Sequence, residues 1–149
     1  MSVGQLCTRI VATATPKECV RVAAHRMSVN DVGTLVVVDG VDAQYPVGFV
    51  TDRDIALRCV AGDLDPDVAT VADIMSRPID TIDESASIED AMTRMATYGR
   101  RRIIVTGEQG TLVGVLSLDD VLEHLTRELQ PVHQLLDKQQ PRFPSQVDV

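Results

Sequence analysis

Two stretches of seven residues decide the fold of this chain: Gly48–Asp54, with the sequence GFVTDRD, and Gly114–Asp120, with the sequence GVLSLDD. Both contain a glycine, two apolar residues, a threonine or serine, two further residues and an aspartate. An apolar run that ends in a hydroxyl residue, with an acid three positions later, is typical of a strand that leads into a helix. The occurrence of this junction twice indicates an internal repeat.

The repeat extends over most of the chain. When the sequence is aligned with itself at a shift of 68 positions, residues of similar chemical type coincide as far as the first strand of each hairpin. Beyond that strand they coincide at a shift of 66, because the second hairpin is two residues shorter. The pairs that keep their type are Val3/Val71, Leu6/Ile74, Thr8/Ser76, Arg9/Arg77, Val11/Ile79, Thr13/Thr81, Ala23/Ala91, Met27/Met95, Leu35–Val37/Ile103–Val105, Val47–Gly48/Val113–Gly114, Thr51/Ser117 and Asp54/Asp120.

Each copy predicts elements in the order β-α-β-β-α, preceded by a short helical piece such as Val71–Met75. The predicted fold class is therefore a mixture of strands and helices, α/β (α+β), with a hairpin inside each copy. In the second copy, an extended segment (Ile79–Ile82) precedes an amphipathic helix with Ser85 or Ser87 as its cap, and the strands Arg102–Val105 and Leu112–Leu116 lead into a helix from Ser117. In the first copy, the strands Thr34–Val38 and Val47–Val50 lead into a helix from Thr51. The apolar face of the amphipathic helix carries Val20, Ala23, Ala24 and Met27 in the first copy and Ile88, Ala91, Met92 and Met95 in the second.

These elements divide the chain into four parts. The first repeat covers residues 3–62 and the second covers residues 71–126. The polar, turn-rich stretch Ala61–Ala69 predicts a surface connection, which we place at residues 63–70. Residues 127–149 are expected to form a C-terminal helical extension and a tail, with Gln139–Val149 mobile.

The C-terminal part carries an apolar stripe at spacings of 4, 3, 4, 3 and 4, which is typical of one helix face. Pro131 lies within it and predicts a break, a kink or the start of a second helix. Packing on the chain's own core is favoured for Leu118 to Leu129, and beyond that point docking on a second subunit is an equal alternative. The stripe consists of Leu118, Leu122, Leu125, Leu129, Val132 and Leu136.

Composition excludes several classes of protein. The chain has 149 residues, of which 44% are hydrophobic and 3% aromatic, without tryptophan, and its net charge is −8. Single-stranded nucleic acids require stacking aromatic residues, and nucleic acids and anionic membranes both require a basic surface. We therefore expect neither a nucleic acid nor a membrane as a partner.

The three cysteines, Cys7, Cys19 and Cys59, form no CxxC pair and have no histidine at ligand spacing, so neither a metal site nor a disulfide framework is expected. No apolar stretch reaches membrane-spanning length. The chain is expected to be cytoplasmic and reduced.

The two seven-residue motifs allow two interpretations. Thr51 and Ser117 are preferred helix N-caps, and the aspartates Asp54 and Asp120 complete a capping box. The same hydroxyl and carboxylate could instead grip a ribose, with helix N–H groups near a phosphate and the preceding glycine admitting a ligand to the backbone.

With these residues, the chain resembles a tandem pair of cystathionine-beta-synthase (CBS) domains, also called a Bateman module. The resemblance is carried by Val47–Ala56, Leu112–Leu122 and the lead-in DIMSRP at residues 73–78, and it covers about Val3 to Leu125. Because the chain contains no catalytic, transporter or channel domain, it is most similar to the stand-alone bacterial type.

The resemblance implies two pseudo-symmetric repeats packed through their sheets, two clefts between them, and dimers of such pairs. It also implies an adenosine ligand in the clefts: AMP, ADP or ATP first, with S-adenosylmethionine or NAD less expected, and no obligatory cofactor. Family ribose-binding positions fall on Thr51 and Asp54 and on Ser117 and Asp120. The intervening Asp52, Arg53 and Asp119, and the base-binding segments with Val11, Thr13, Ile79 and Thr81, complete the implied site.

Phosphates require cations, and three consecutive arginines, Arg100–Arg102, precede a predicted strand. The planar guanidinium suits two-point phosphate binding, so Arg101 and Arg102 are candidates, although such a run can also be a solvated surface. The first repeat has Gly33 and Thr34 at these two positions, which makes the two clefts inequivalent.

The expected function is a non-catalytic module that senses an adenosine ligand. The alternative is a structural or interaction module with empty clefts that acts through oligomerisation or through an unknown protein bound by its C-terminal helix. An enzyme is not expected, because no nucleophile–base–acid set and no phosphate-binding P-loop can be assembled from the motifs.

Overall fold

The computed structural model describes residues 1–139 except 41, 43 and 78. The predicted order of elements is confirmed, with a short lead-in helix before each repeat. The elements are α1 (Val3–Leu6), β1 (Thr13–Ala14), α2 (Val20–Asn30), β2 (Thr34–Asp39), β3 (Tyr45–Thr51), α3 (Asp52–Asp54) with a π-helical continuation (Ile55–Val60), α4 (Val71–Ile74), β4 (Thr81–Asp83), α5 (Ile88–Tyr98), β5 (Arg102–Thr106), a 3-10 turn (Glu108–Gly110), β6 (Leu112–Ser117) and α6 (Leu118–Gln139).

Within the described residues, the strands form two sheets of three, in the orders β1-β2-β3 and β4-β5-β6. In each sheet the first strand runs parallel to the second, and the second pairs antiparallel with the third. The central strands are buried except at their ends, and their buried residues are all valine, isoleucine or leucine, as expected for strands covered on both faces.

The two amphipathic helices begin and end at matching positions. Ser87 caps α5 through a hydrogen bond from the Asp90 N–H, so of the two predicted candidates Ser87 is the cap. Asp31 after α2 and Gly99 after α5 both adopt the left-handed conformation that commonly ends helices. These caps fix where β2 and β5 begin.

The lead-in helices are exchanged between the repeats. The α1 residue Val3 is fully buried in the core of the second repeat, among residues of α5, β5 and β6. In the same way Val71 and Ile74 of α4 are fully buried in the core of the first repeat, beneath β2 and β3. After each lead-in helix the chain crosses back along the other repeat's sheet, where Thr8 bridges to Val115 and Ser76 to Phe49.

The sheets pack against each other through a third apolar cluster. Val36 and Val38 from β2 and Ile104 from β5 lie at its centre and are at most 1% exposed. Half-buried residues surround them, namely Val11, Phe49, Ile79, Leu112 and Val115. This contact confirms the prediction that the repeats pack through their sheets.

The helix α6 differs from the prediction at Pro131. It runs from Leu118 to Gln139 as one helix, so the expected break, or the start of a second helix, at Pro131 was wrong. Proline has no main-chain N–H, so the carbonyl of Arg127, four residues earlier, lacks its hydrogen bond within the helix. Arg127 is exposed, and its carbonyl can bond to water instead.

The apolar stripe on α6 is largely uncovered. Leu118 packs on the core of the second repeat, but Leu122, Leu125 and Leu129 are 51%, 40% and 62% exposed, so the expected packing on the chain's own core was wrong for these three. Val121 is the one buried residue of the helix, and every described residue from Leu125 onward is exposed. Of the predicted mobile tail, Gln139–Val149, Gln139 is the last residue of α6, and residues 140–149 lie outside the described residues.

The sheet-to-sheet cluster makes a stability prediction. Replacing Ile104 by alanine leaves a cavity where three buried side chains meet, so Ile104→Ala should lower the free energy of unfolding by about 2–4 kcal/mol in urea titrations. Val29→Ala, on the exposed face of α2 where Val29 is 69% exposed, is the control and should change it by less than about 0.5 kcal/mol. Equal effects of the two substitutions would contradict the assigned role of the cluster.

Candidate functional site

Both seven-residue motifs form helix caps. The Thr51 hydroxyl accepts a hydrogen bond from the Asp54 N–H at 3.1 Å, and the Asp54 carboxylate accepts from the Thr51 N–H at 2.9 Å and from the hydroxyl at 3.0 Å. Ser117 and Asp120 repeat this arrangement at 3.1, 2.8 and 2.6 Å. The cap interpretation of the motif is therefore correct for both copies.

Each cap uses only one oxygen of its carboxylate, Oδ2. In the first repeat the other oxygen, Oδ1 of Asp54, lies 3.6 Å from Arg58 Nε. The residue four positions after Asp120 is His124, and the described residues contain no ion pair to Asp120. A second carboxylate oxygen thus stays available at each junction, more freely at Asp120.

The glycines of the motifs have a role that the sequence interpretation missed. A Cβ atom on Gly114 would overlap the Thr8 carbonyl oxygen, and one on Gly48 would lie 3.0 Å from the Ser76 carbonyl oxygen. Both glycines are buried, so they admit the crossing chain of the other repeat rather than a ligand.

Beside Gly114 lies Cys7, whose Sγ atom would be 3.0 Å from the added Cβ. Burial raises the pKa of this thiol, so it stays protonated at neutral pH. Within the described ranges, no group of three or more His, Cys, Asp and Glu side chains is arranged to hold a metal ion.

Two clefts open at the ends of the two motifs, between the sheets. Cleft 1 has a volume of about 160 Å³ and contains Thr51. Its other lining residues come from both repeats: Thr34, Phe49, Ser76, Ile79, Asp80, Arg100, Arg101 and Arg102. Cleft 2 has a volume of about 380 Å³ and contains Ser117, Asp119 and Asp120, with Thr8, Ile10, Val11, Ala12, Asp31, Val32, Gly33, Thr34, Val36, Phe49, Arg102 and Val115.

Each cleft combines the motif of one repeat with the extended segment of the other. Thr51 of the first repeat shares cleft 1 with Ile79, and Ser117 of the second shares cleft 2 with Val11. This crossing follows from the exchange of the lead-in helices, because the segment after each helix runs along the other repeat's sheet.

Some candidate residues lie outside the clefts. Asp52, Arg53 and Asp54 follow Thr51 but are absent from the lining of cleft 1, and Asp52 and Arg53 are exposed. Thr81 lines neither cleft, and its carbonyl accepts a hydrogen bond from Arg94 at 2.9 Å.

Thr13 lies in a separate shallow depression of the surface. Its carbonyl accepts a hydrogen bond from Arg26 at 2.7 Å. The Arg26 guanidinium also binds Glu18, and this hydrogen bond holds the pKa of Glu18 below its usual range. The hydrogen-bonding groups around Thr13 thus serve the junction of β1 and α2.

The arginine candidates are brought to the clefts. Arg100 and Arg101 line cleft 1, and Arg102 lines both clefts from the first position of β5. Thr34 holds the equivalent place at the start of β2 and also lines both clefts. The pair therefore stands between the two sites.

Sequence reasoning missed Asp80 as a cleft residue, although it lies within the predicted base-binding segment. Its Oδ1 is 3.4 Å from Arg94, while its Oδ2 is buried without a hydrogen-bond partner. An unpaired buried carboxylate oxygen is costly and suits a ligand N–H or O–H donor. Phe49, inside the first motif, was also missed and forms an apolar wall shared by both clefts.

The sequence model of the CBS domain matches the chain twice, at residues 3–60 and 71–127. The chain belongs to the CBS domain family. Its two repeats form a CBS pair, which confirms the resemblance described from the motifs.

Two curated relatives place the pair among similar proteins. An uncharacterised protein of Methanopyrus kandleri is 32% identical over 123 residues, which cover 83% of this chain and 62% of the relative, so the chain spans less than two thirds of that protein. Hypoxic response protein 1 of Mycobacterium tuberculosis is 33% identical over 108 residues, or 72% of this chain and 73% of the relative.

Solved structures share the fold. Hypoxic Response Protein I with two coordinated zinc ions matches with a TM-score of 0.74 and 29% identity, over 83% of this chain and 98% of that one. A CBS domain protein of Pyrobaculum aerophilum complexed with AMP matches with a TM-score of 0.71 and 31% identity, over 80% and 89% of the two chains. No helix in the described part of this chain is both long and apolar enough to span a membrane.

The motif glycines generate a testable difference between the repeats. Gly114→Ala should destabilise the chain by about 1–3 kcal/mol, because the added methyl group would overlap main-chain atoms at Thr8. Gly48→Ala should cost less, since its methyl group would sit 3.0 Å from the nearest atom. Urea denaturation of both variants measures the difference, and a larger loss for Gly48→Ala would contradict the packing described.

Proposed function

We propose that this CBS pair is a non-catalytic regulatory module that binds an adenine nucleotide, AMP, ADP or ATP, in the clefts between its repeats. The supporting observation is cleft 1, which brings together the helix-capping hydroxyl of Thr51, the apolar side chains of Phe49 and Ile79, and three arginines. S-adenosylmethionine or NAD would use the same adenosine contacts and are the less favoured ligands. The functional unit in this proposal is the pair of residues 3–62 and 71–126, with 63–70 as its linker.

The chemistry of cleft 1 suits the three parts of a nucleotide. Phe49 and Ile79 offer apolar surface to a base, and the buried Oδ2 of Asp80 can accept a hydrogen bond from an amino group. The Thr51 end of the cleft holds the hydroxyl expected to meet a ribose, and Arg100–Arg102 supply cations for phosphates. A relative that is 31% identical was crystallised with AMP, which supports an adenosine ligand for this chain.

A ligand in cleft 2 would be connected directly to α6. Ser117 ends β6 and caps α6, and the carboxylate that completes the cap lines the cleft. Any ligand that binds Asp120 would alter the contacts that orient the first turn of this helix. Binding can shift the position of α6 only as far as the ligand prefers one arrangement over another.

The non-catalytic part of the proposal is the expectation from the sequence, in which no nucleophile–base–acid set can be assembled from the motifs. The proposed location, the cytoplasm, stays a prediction from the sequence.

We also propose that the chain forms a homodimer through α6. Leu122, Leu125, Leu129, Val132 and Leu136 repeat at spacings of 3 and 4 and are each 40–62% exposed, on a helix about 33 Å long. An apolar stripe of this spacing packs against a second helix that carries a stripe of the same spacing. The α6 helix of a second copy is such a helix, and a two-fold pairing would cover both stripes at once.

The nucleotide proposal predicts thermal stabilisation. At about 100 times its dissociation constant, ADP should raise the free energy of unfolding by about 2.7 kcal/mol, seen as a higher melting temperature. Arg102→Gln should reduce this shift, because Arg102 lines both clefts, whereas Arg127→Gln on the exposed surface of α6 should leave it unchanged. The absence of a shift with AMP, ADP, ATP, S-adenosylmethionine and NAD at millimolar concentration would contradict the proposal.

The dimer proposal predicts the effect of charge on the stripe. Leu125→Glu combined with Leu129→Glu should convert the dimer to a monomer in sedimentation velocity, without lowering the melting temperature of the monomer fold, because both side chains are exposed. Val29→Glu on α2 is the control, since Val29 is 69% exposed but lies off the stripe. A wild-type chain that sediments as a monomer would leave α6 to a different protein partner and refute the homodimer.

A further inference from the structure

The two clefts carry opposite charge. The charged residues that line cleft 1 are Asp80 and the three arginines Arg100–Arg102. Those that line cleft 2 are Asp31, Asp119, Asp120 and Arg102. Cleft 1 therefore has a net excess of positive charge and cleft 2 a net excess of negative charge, although both are built from equivalent parts of the repeat.

The difference arises at matching positions of the two repeats. With the shift of 68, Gly99 to Arg102 at the end of α5 correspond to Asp31 to Thr34 at the end of α2. Both segments border a cleft, but the second repeat supplies three guanidinium groups, whereas the first supplies a single carboxylate, on Asp31. The two segments leave their helices with similar backbone, since Asp31 has φ 53° and Gly99 has φ 60°.

The motifs add negative charge to cleft 2 alone. Asp119 lines cleft 2, whereas its equivalent with the shift of 66, Arg53, is exposed and does not line cleft 1. Asp119 is itself 3.4 Å from Arg101, but both side chains are more than 70% exposed, and such pairs are weak. The Asp119 charge is thus only slightly compensated at the mouth of cleft 2.

Asp120 is the acidic residue of cleft 2 that belongs to the helix cap, and its equivalent Asp54 does not line cleft 1. The Oδ2 of Asp120 is used by the cap and its Oδ1 is available to a ligand. A ribose hydroxyl can donate to this oxygen. A phosphate placed near it would be repelled, because the phosphate and the carboxylate are both negatively charged.

We propose that the clefts divide adenosine ligands by charge: cleft 1 takes phosphorylated nucleotides, and cleft 2 takes an adenosine compound without phosphate, either uncharged or positively charged. This inference rests on the proposed function, and it names the ligand class of each cleft. Arg102, which lines both clefts, is the one cationic residue on the described surface of cleft 2.

Two double variants with matched charge changes test the division. Arg100→Gln with Arg101→Gln removes two positive charges from cleft 1. Asp31→Asn with Asp119→Asn removes two negative charges from cleft 2, and asparagine tolerates the left-handed backbone at position 31. Isothermal titration calorimetry of the full chain with ADP, adenosine and S-adenosylmethionine, which carries a net positive charge, gives the affinity and the number of sites.

The wild-type chain should bind one ADP per chain, and ADP should not displace bound S-adenosylmethionine. The arginine double variant should weaken ADP binding about tenfold or more. It should not weaken S-adenosylmethionine binding, because it also frees Asp119 of cleft 2 from Arg101. The aspartate double variant should weaken S-adenosylmethionine binding and admit a second ADP.

Two other outcomes have distinct meanings. Binding of two ADP molecules per wild-type chain with equal affinity, or an equal loss of ADP affinity in both double variants, would overturn the division by charge while leaving the proposed function in place. The absence of binding by ADP, adenosine and S-adenosylmethionine alike would overturn the proposed function and this inference with it.

Discussion

The contact between the two sheets is the constraint on which the rest of the structure depends. Val36, Val38 and Ile104 are buried only because the two repeats face each other, and neither sheet would cover these side chains alone. A half-unit of about 60 residues is marginally stable by itself. Each repeat's core is also completed by the lead-in helix of the other repeat, so we expect the pair to fold as one body. Once the central strands are packed in this way, their first residues, Thr34 and Arg102, come to stand between the two clefts.

The exchange of the lead-in helices reinforces this contact and creates the sites. Helix α1 is buried in the second repeat and α4 in the first. The segment after each helix therefore crosses between the two sheets and borders the cleft that holds the other repeat's motif. The glycines at positions 48 and 114 are needed for this crossing, since both lie under main-chain atoms of the other repeat. A ligand between a motif and a crossing segment would contact both repeats, which gives a binding event a direct effect on their relative position.

The sequence predicted the order of elements and the two junction motifs because these depend on local patterns: β-branched strands, a hydroxyl cap and an acid three residues later. It did not predict the exchange of α1 and α4, since a repeat period assigns each helix to its own neighbour in the chain and only packing decides otherwise. The role of Gly114 was missed for the same reason, as the Thr8 carbonyl is far away in sequence. The predicted break at Pro131 does not occur, because an exposed helix loses only one main-chain hydrogen bond at a proline and water can replace it.

The repeat explains what the two clefts share, and its divergence explains what separates them. Thr51 and Ser117 keep the same cap, while the rim changes from arginine in cleft 1 to aspartate in cleft 2. The central claim, that the clefts are adenosine sites formed jointly by both repeats, is tested most directly by a crystal structure of the chain grown with ADP. The account predicts one ADP in cleft 1, with its base between Phe49 and Ile79 and its phosphates against Arg100–Arg102. Clefts that stay empty at saturating ADP, or ADP bound away from both motifs, would contradict it.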